Sequence, residues 1–246
     1  MSNSGDVWVV IPAAGIGKRM QSDIPKQYLK INDKTILEHT LNCFSQNIDI
    51  EGIIVALNSE DVYWDPSIID VTDKKLYTVD GGEERSDSVL NALEYLSVIE
   101  QLPDETWVMV HDAARPCLLT KDIDALLEIR LQDTIGGILA TPVRDTMKRA
   151  QKAENITANN NGSDSEISHS ENRENLWHAL TPQLFRLGAL REALKSCLEK
   201  DIEVTDEASA LEAQGMHPLL VEGNSNNIKI TQAADLELAT WFLNKG

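Results

Sequence analysis

Short, continuously apolar runs alternate with amphipathic segments along most of this chain, and this alternation limits the possible folds more than any other feature. Runs such as Val7–Pro12 are apolar at successive positions, which is typical of strands covered on both faces. Strands that alternate with helices indicate an α/β fold, with a mostly parallel twisted sheet flanked by helices. We predict strands over Val7–Pro12, 53–57, 76–79, 107–111, 137–141, 217–221 and 227–230. We predict helices over 35–44, 86–96, 120–131, 184–198, 206–214 and Ala233–Leu243.

Residues 142–180 interrupt this alternation. Residues 142–149 and 176–180 resemble two short strands, and the segment between them is rich in Asn, Ser, Glu and Asp. Such a segment buries too little apolar surface to offset the entropy lost on ordering it. We therefore predict one domain over residues 1–246, from which residues 142–180 protrude as a β-arm with a mobile tip at about 151–172. A plain surface insertion is the alternative.

The loop after the first predicted strand combines small residues with cations. It reads Pro12-Ala-Ala-Gly-Ile-Gly-Lys-Arg-Met20 and is followed by Pro25-Lys26. Ala and Gly let backbone N–H groups approach a ligand, and the nearby cations add positive charge, which together indicate a polyphosphate site. Met20 stands where a Rossmann fingerprint needs Gly, and Arg19 where a Walker A loop needs Ser or Thr. A solvated strand-turn-helix connection is the alternative.

Charge and composition narrow the classes of partner. The net charge of −18 argues against nucleic acid, because DNA binders gain most of their affinity from neutralising phosphates. No apolar run approaches the length of a membrane span, and we expect no membrane partner. The first residues carry no secretory signal pattern, and the three cysteines are scattered without a C-x-x-C. We therefore expect a cytoplasmic protein without a disulfide framework.

Two further clusters follow predicted strands. In Val110-His-Asp-Ala-Ala-Arg-Pro116, Asp112 could hold Mg²⁺ between itself and substrate phosphates, and Arg115 could bind phosphate. A salt bridge or turn cap is the alternative, and we expect His111 to be packed rather than a ligand. In Asp80-Gly-Gly-Glu-Glu-Arg-Ser-Asp-Ser88, the glycines expose backbone donors before a helix, although helix capping alone would also explain this pattern. Loops that follow parallel strands can line one crevice.

The spacing of these clusters resembles the 2-C-methyl-D-erythritol 4-phosphate cytidylyltransferase family, from about residue 7 to 242. The resemblance implies a Rossmann-like nucleotidyltransferase fold and a homodimer in which the arm crosses to the second subunit. It also implies transfer of a cytidylyl group from CTP to the polyol phosphate, with Mg²⁺ or another divalent cation as cofactor and pyrophosphate as the second product. The phrases that carry it are Pro12-Ala-Ala-Gly, Pro25-Lys-Gln-Tyr28, Val110-His-Asp-Ala-Ala-Arg-Pro116, Pro142-Val-Arg-Asp-Thr146, Trp177-His-Ala-Leu-Thr-Pro182, Thr205-Asp-Glu-Ala-Ser209 and Asn227-Ile-Lys-Ile-Thr231.

The resemblance also implies roles for individual residues. Arg19 and Lys26 would be catalytic by stabilising charge on the α-phosphate, and Asp112 would hold the metal. The CTP-binding residues would be Pro12, Ala13, Ala14, Gly15, Gly17, Gly81, Gly82, Glu83, Ser88 and Ala113, with Glu83 where the family usually has Asp. The acceptor would be positioned by Arg115, Thr146, Arg173, Thr181, Thr205 and Lys229. Of these, Thr146, Arg173 and Thr181 would serve the partner subunit's site.

The implied reaction explains why no Ser/His/Asp or Cys/His constellation is found. A phosphate monoester has a second pKa near ~6, so the attacking oxygen is already deprotonated at neutral pH and needs no general base. Positioning and charge neutralisation are then the main requirements. Two alternatives remain at this point: a ribitol-5-phosphate cytidylyltransferase, against which Thr146, Arg173 and Thr205 argue, and a nucleotide-binding regulatory subunit without turnover.

Overall fold

The computed structural model describes residues 7–15, 24–68, 74–151 and 165–245. In this part of the chain the strands are β1 Val7–Pro12, β2 Lys30–Ile31, β3 Lys34–Thr35, β4 Ile50–Leu57, β5 Lys75–Asp80, β6 Trp107–Val110, β7 Gly136–Pro142, β8 Lys148–Ala150, β9 Ile167–Ser170, β10 Trp177–Arg186 and β11 Leu219–Glu222. The helices are α1 Ile36–Ser45, α2 Arg85–Glu94, α3 Thr120–Glu128, α4 Leu187–Glu199, α5 Glu207–Glu212 and α6 Ala233–Leu243.

A seven-stranded sheet forms the centre, in the order β11-β7-β10-β6-β1-β4-β5. Strand β1 pairs in parallel with β4 and β6, β4 with β5, and β7 with β11, whereas β10 is antiparallel to both of its neighbours. The predicted α/β class with a mostly parallel sheet is confirmed. Because the carboxyl ends of parallel strands lie at one edge, the loops after β1, β5 and β6 meet there.

The sheet is covered on both faces, as the continuously apolar strands predict. Alternate residues of β1 point to opposite sides: Val9 packs with α1 and α3, and Val10 packs with α2, α4 and α5. Both side chains are fully buried. A third, smaller cluster holds α6 through Ala239 against the turn that carries Ile31. Burial of this sheet therefore fixes the strand ends that carry the polar loops.

One strand predicted from the sequence does not form, and one predicted helix begins later than expected. Residues 227–230 do not form a strand; they run across the carboxyl edge of the sheet, held by bonds from Arg115 Nη1 to the Asn227 carbonyl and from the Ile230 N–H to the Ala114 carbonyl. The helix predicted to begin at residue 184 begins at Leu187, because the preceding residues complete β10 in the sheet. Short apolar runs fit either element, and here pairing with β6 decides the outcome.

The β-arm begins where β7 leaves the central sheet. Strands β8 and β9 form a separate two-stranded antiparallel sheet whose residues are all exposed. Strand β9 falls within the range expected to be the tip, so part of that range is paired; residues 152–164 lie outside the described residues. In the four described ranges, no helix combines the length and apolar character needed to cross a bilayer.

Candidate active site

A pocket of about 180 Å³ lies where the loops after β1, β5 and β6 meet. Its position matches the crevice that the sequence predicts. The small residues of the first loop form one wall, and the start of α2 forms the opposite wall. Most of the residues predicted to bind CTP line this space, together with the predicted catalytic lysine and metal ligand. Those lining it are Pro12, Ala13, Ala14, Gly15, Lys26, Gly82, Glu83, Ser88, Asp112, Ala113 and Lys229.

Gly81 does not line the pocket; it lies where the loop after β5 passes close to the loop after β1. Its N–H donates to the Leu57 carbonyl at 2.7 Å, and a Cβ at this position would lie 2.3 Å from the Cβ of Ala14. The next glycine, Gly82, donates its N–H to the Ser88 hydroxyl at 3.0 Å. Only a residue without a side chain at position 81 allows the two loops to approach this closely.

We expect Gly81→Ala to raise the KM for CTP, the nucleotide that the sequence resemblance implies, by about tenfold or more. The added methyl group pushes the first loop out of place, and overpacking of this kind costs about 1–3 kcal/mol. The matched control is Gly223→Ala, whose Cβ would make ordinary contacts of 3.4–3.7 Å with Leu139. Steady-state kinetics with varied CTP measure the effect, and equal KM values for the two variants would contradict it.

Lys26 is held by a short turn, Lys26–Tyr28, whose three side chains are anchored on different segments. Gln27 is buried and donates from Nε2 to the Ala13 carbonyl at 2.7 Å. The Tyr28 hydroxyl donates to Asp61 Oδ2 at 2.8 Å, and Lys26 Nζ donates to the Ile230 carbonyl at 3.1 Å. This ammonium group is therefore fixed at the pocket wall. The predicted Gly17 and Arg19 lie outside the described residues.

Asp112 is the centre of a cluster of charges. Its Oδ1 accepts from Arg85 Nε at 3.0 Å, and its Oδ2 lies 2.9 Å from Lys229 Nζ and 3.2 Å from Arg115 Nε. Burial alone would raise the pKa of Asp112, but the three cations outweigh burial and hold it well below its usual range. The carboxylate is therefore ionised and occupied by cations.

This arrangement bears on the predicted metal role of Asp112. Within the described ranges, no group of three or more His, Cys, Asp or Glu side chains could hold a metal ion. Mg²⁺, however, commonly keeps several waters and takes only one or two carboxylates together with substrate phosphates. The residues therefore fit an ion that arrives with a polyphosphate rather than one held by the protein alone.

A second pocket, of about 280 Å³, adjoins the first and shares with it a wall made of Arg85, Asp112 and Lys229. The predicted acceptor residues Arg115, Thr181 and Thr205 line it. Opposite them, the start of α5 is fixed by Gln183, which donates to Asp206 Oδ2 at 2.8 Å and accepts from the Ala208 N–H at 2.9 Å. Two ligands bound in these pockets would meet at the shared cationic wall.

His111 is fully buried beside this wall and supports it indirectly. Its Nε2–H donates to the Arg115 carbonyl at 3.1 Å, which leaves Nδ1 as an acceptor for the Thr181 hydroxyl at 3.0 Å. The same hydroxyl accepts the backbone N–H of Asp112 at 3.1 Å. The expectation of a packed histidine is confirmed. Thr181 lines the second pocket of its own chain, and its expected role in the partner's site stays a prediction.

Burial lowers the pKa of His111 from 6.5 to about 4, and this predicts a pH-dependent stability. Above pH 6.5 the imidazole is neutral in both states, whereas between pH 6.5 and 4 mainly the unfolded chain takes up the proton. The free energy of unfolding should therefore fall by up to about 3 kcal/mol over this window as the pH is lowered. Urea unfolding at several pH values measures the slope. His111→Asn should have a shallower slope, and identical slopes would refute the assignment.

Thr146 and Arg173 lie in the β-arm, and both are exposed. Arg173 Nη1 donates to the Arg144 carbonyl within the same arm. Neither residue lines either pocket of its own chain. Their predicted action in a second subunit stays a prediction.

Sequence reasoning missed several residues that build the site. Arg85 was treated only as part of a helix-capping cluster, and Glu207, whose carboxylate it contacts, lies 122 positions away. Asn227 is buried, accepts from Arg115 at its carbonyl and donates from Nδ2 to the Thr181 carbonyl at 2.7 Å. Glu207 and Asn227 lie in phrases that carry the family resemblance, but these phrases do not reveal their partners, which only the fold brings close.

Comparison with known proteins shows which family this chain resembles. The family model described as 2-C-methyl-D-erythritol 4-phosphate cytidylyltransferase (IspD) matches residues 7–245. The protein of that name from Pseudomonas entomophila is 48% identical over 230 residues, which cover 94% of this chain and 92% of the relative. That from Vibrio parahaemolyticus is 48% identical over 236 residues, covering 96% and 94%. The crystal structure of the Francisella tularensis protein of the same name has a TM-score of 0.77 and 41% identity, covering 96% of this chain and 99% of that one.

Proposed function

Because the chain belongs to the 2-C-methyl-D-erythritol 4-phosphate cytidylyltransferase family, we propose that its two adjoining pockets bind the two substrates of that reaction. The enzyme joins CTP and 2-C-methyl-D-erythritol 4-phosphate to give 4-diphosphocytidyl-2-C-methyl-D-erythritol and pyrophosphate. The sequence-based resemblance is confirmed, and the ribitol-5-phosphate alternative is not favoured. The observation that carries the proposal is the cationic wall shared by the two pockets.

The first pocket suits the nucleotide. Its wall of Ala13, Ala14 and Gly15 lies at the carboxyl edge of the sheet, where α/β proteins commonly bind nucleotides, and Gly15 is exposed there. Lys26 lies at the same wall and supplies positive charge for the phosphates. Ser88 and the glycine loop before α2 lie opposite, in the position where the base would be read. We propose the same use for Gly17 and Arg19 from the sequence alone.

The second pocket suits the acceptor phosphate. Arg115 and Lys229 supply cations there, and Thr205 supplies a hydroxyl. The acceptor oxygen attacks the α-phosphorus of CTP in line with the leaving pyrophosphate, which takes the electron pair of the broken P–O bond. The attacking oxygen is already deprotonated, so these residues need only position two polyanions and neutralise them. The absence of a general base in the proposed mechanism follows from this chemistry.

We propose that Mg²⁺ enters as part of the CTP complex. Phosphate oxygens and water would supply most of its ligands, and Asp112 would supply at most one. The support is the ionised carboxylate of Asp112, which lines both pockets and is surrounded by three cations. The bound ion would neutralise charge on the triphosphate.

Pyrophosphate release is the direct test of the reaction. The full chain is incubated with Mg²⁺, CTP and either 2-C-methyl-D-erythritol 4-phosphate or ribitol 5-phosphate. We expect rapid pyrophosphate release with the first acceptor and little with the second. CTP binding without release from either acceptor would instead support the non-catalytic alternative.

We also propose a cytoplasmic homodimer in which the β-arm completes the partner's acceptor site. The exposed positions of Thr146 and Arg173, away from the pockets of their own chain, support this arrangement. Mixing inactive Lys26→Ala and Arg173→Ala subunits would test it, because a mixed dimer then contains one intact site. Random exchange should restore about a quarter of wild-type activity. A monomer by light scattering, or no recovery after exchange, would contradict the proposal.

A further inference from the structure

Arg85 occupies the junction between the two pockets, at the first position of α2. Its Nε donates to Asp112 Oδ1 at 3.0 Å, while Nη1 and Nη2 donate to the two oxygens of Glu207 at 2.6 and 3.1 Å. The Glu207 side chain is only 1% exposed, whereas that of Arg85 is 29% exposed. One end of the arginine is therefore fixed by a buried carboxylate, and the side chain still reaches the open junction.

The hydrogen-bond capacity of this guanidinium group is not used up. Arginine has five N–H donors in a planar fork, and the described contacts engage one on each nitrogen. Each Nη atom therefore retains one N–H for which the described ranges give no acceptor. Because Arg85 lines both pockets, these donors can serve an anion bound at the shared wall.

The ion-paired cluster at the junction carries one more cation than carboxylates, when it is counted apart from Lys26, Glu83, Glu84 and Asp206, which line the pockets around it. Arg85, Arg115 and Lys229 bring three positive charges, while Asp112 and Glu207 bring two negative ones. An uncompensated cation in a partly buried site attracts an anionic ligand more strongly than one on an open surface. A phosphate oxygen between the pockets would complete the balance.

We propose that Arg85 is a further catalytic residue that donates to the phosphate at which cytidylyl transfer occurs, and that Glu207 is the residue that positions it. This rests on the function proposed above. During transfer a bond forms between the acceptor oxygen and the α-phosphorus, the bond to the bridging oxygen breaks, and pyrophosphate leaves with the electron pair. Arg85 keeps its proton and stabilises the charge that spreads over the phosphoryl oxygens. Glu207 holds the fork so that its outer N–H groups face the junction.

A purely structural role predicts different kinetics. In that case Arg85 only links the start of α2 to the start of α5, and its replacement lowers the folded fraction without changing turnover per folded molecule. A catalytic role lowers kcat of the folded enzyme, because the interaction is strongest in the transition state. The two roles are therefore separated by kcat corrected for the folded fraction.

The experiment compares Arg85→Ala, Arg85→Lys and Glu207→Gln with the wild type. We expect Arg85→Ala to lower corrected kcat by about 10²–10³, with a smaller change in the KM for CTP. Guanidinium ion added at millimolar concentration should occupy the vacated space and raise the corrected kcat of Arg85→Ala at least tenfold. Arg85→Lys keeps the charge but loses the fork, so it should retain binding and lose more than tenfold in kcat. Glu207→Gln should show a smaller loss of kcat.

Arg130→Ala is the matched control, because Arg130 makes a comparable partly buried pair with Asp49 at 2.9 Å, outside both pockets. It should turn over at the wild-type rate and be unaffected by guanidinium. Wild-type corrected kcat in Arg85→Ala or in Arg85→Lys would overturn the proposal, as would a loss in Arg85→Ala that guanidinium does not restore. If Arg85→Ala does not fold, the corrected kcat values of Arg85→Lys and Glu207→Gln test the proposal, and wild-type values in both would overturn it. Failure of the wild type to release pyrophosphate would instead overturn the proposed function itself.

Discussion

We expect Lys26→Ala to lower kcat by about 100- to 1,000-fold, the usual consequence of removing one preorganised donor from a polar active site. The structure gives the physical reason. The lysine is fixed in its turn by neighbouring side chains bonded to Ala13 and Asp61, so its ammonium group is oriented before any nucleotide binds. Pyrophosphate release at saturating substrates measures the loss. From the sequence alone, we expect a loss of similar size for Arg19→Ala.

Lys34→Ala is the matched control for the lysine variant. Lys34 is exposed in the neighbouring hairpin and lines neither pocket. Lys34→Ala removes the same positive charge from the same region as Lys26→Ala, so a general loss of positive potential would affect both variants. Circular dichroism should be unchanged in both. If Lys26→Ala turned over within a few-fold of Lys34→Ala, the catalytic assignment would be wrong.

The second large effect concerns stability. We expect Asp112→Asn to lower the free energy of unfolding by about 3–5 kcal/mol, because removal of a buried anion leaves its cationic partners uncompensated. The Asp112 side chain is only 8% exposed and contacts Arg85, Arg115 and Lys229 within 3.2 Å. Urea unfolding at neutral pH measures the change. The control, Asp49→Asn, removes a more exposed partner of Arg130 and should change stability by less than about 1 kcal/mol.

The same variant tests the predicted metal role in an independent measurement. If Asp112 supplies one oxygen to Mg²⁺ in the nucleotide complex, activity in Asp112→Asn should require a higher Mg²⁺ concentration. An unchanged metal titration together with a large loss of stability would leave Asp112 as the anion that organises the cations and remove it as a ligand. A stability within 1 kcal/mol of the wild type would contradict the charge cluster described here.

Local sequence patterns were sufficient wherever a strand leads directly into a functional loop. Pro12-Ala-Ala-Gly, the glycines before α2 and Asp112 all follow strands of the parallel sheet, so the chain order alone predicted that they would share a crevice. Residues 227–230 show where this reasoning failed. Polar and apolar side chains alternate in this segment, and we predicted a strand, but Asn227 instead joins Arg115 to the Thr181 carbonyl across the edge of the sheet.

The sequence by itself determined the α/β class, the family and the loops that form the first pocket, because each depends on residues close together in the chain. Only the tertiary structure decided how the charges are paired. Arg85 and Glu207 are 122 positions apart, and Arg115 and Asn227 are 112 apart. Arg85 and Glu207 meet because α2 and α5 pack on one face of the sheet, whereas Arg115 meets the Asn227 carbonyl because residues 227–230 cross the edge of the sheet. A buried charge must take the partner that packing supplies.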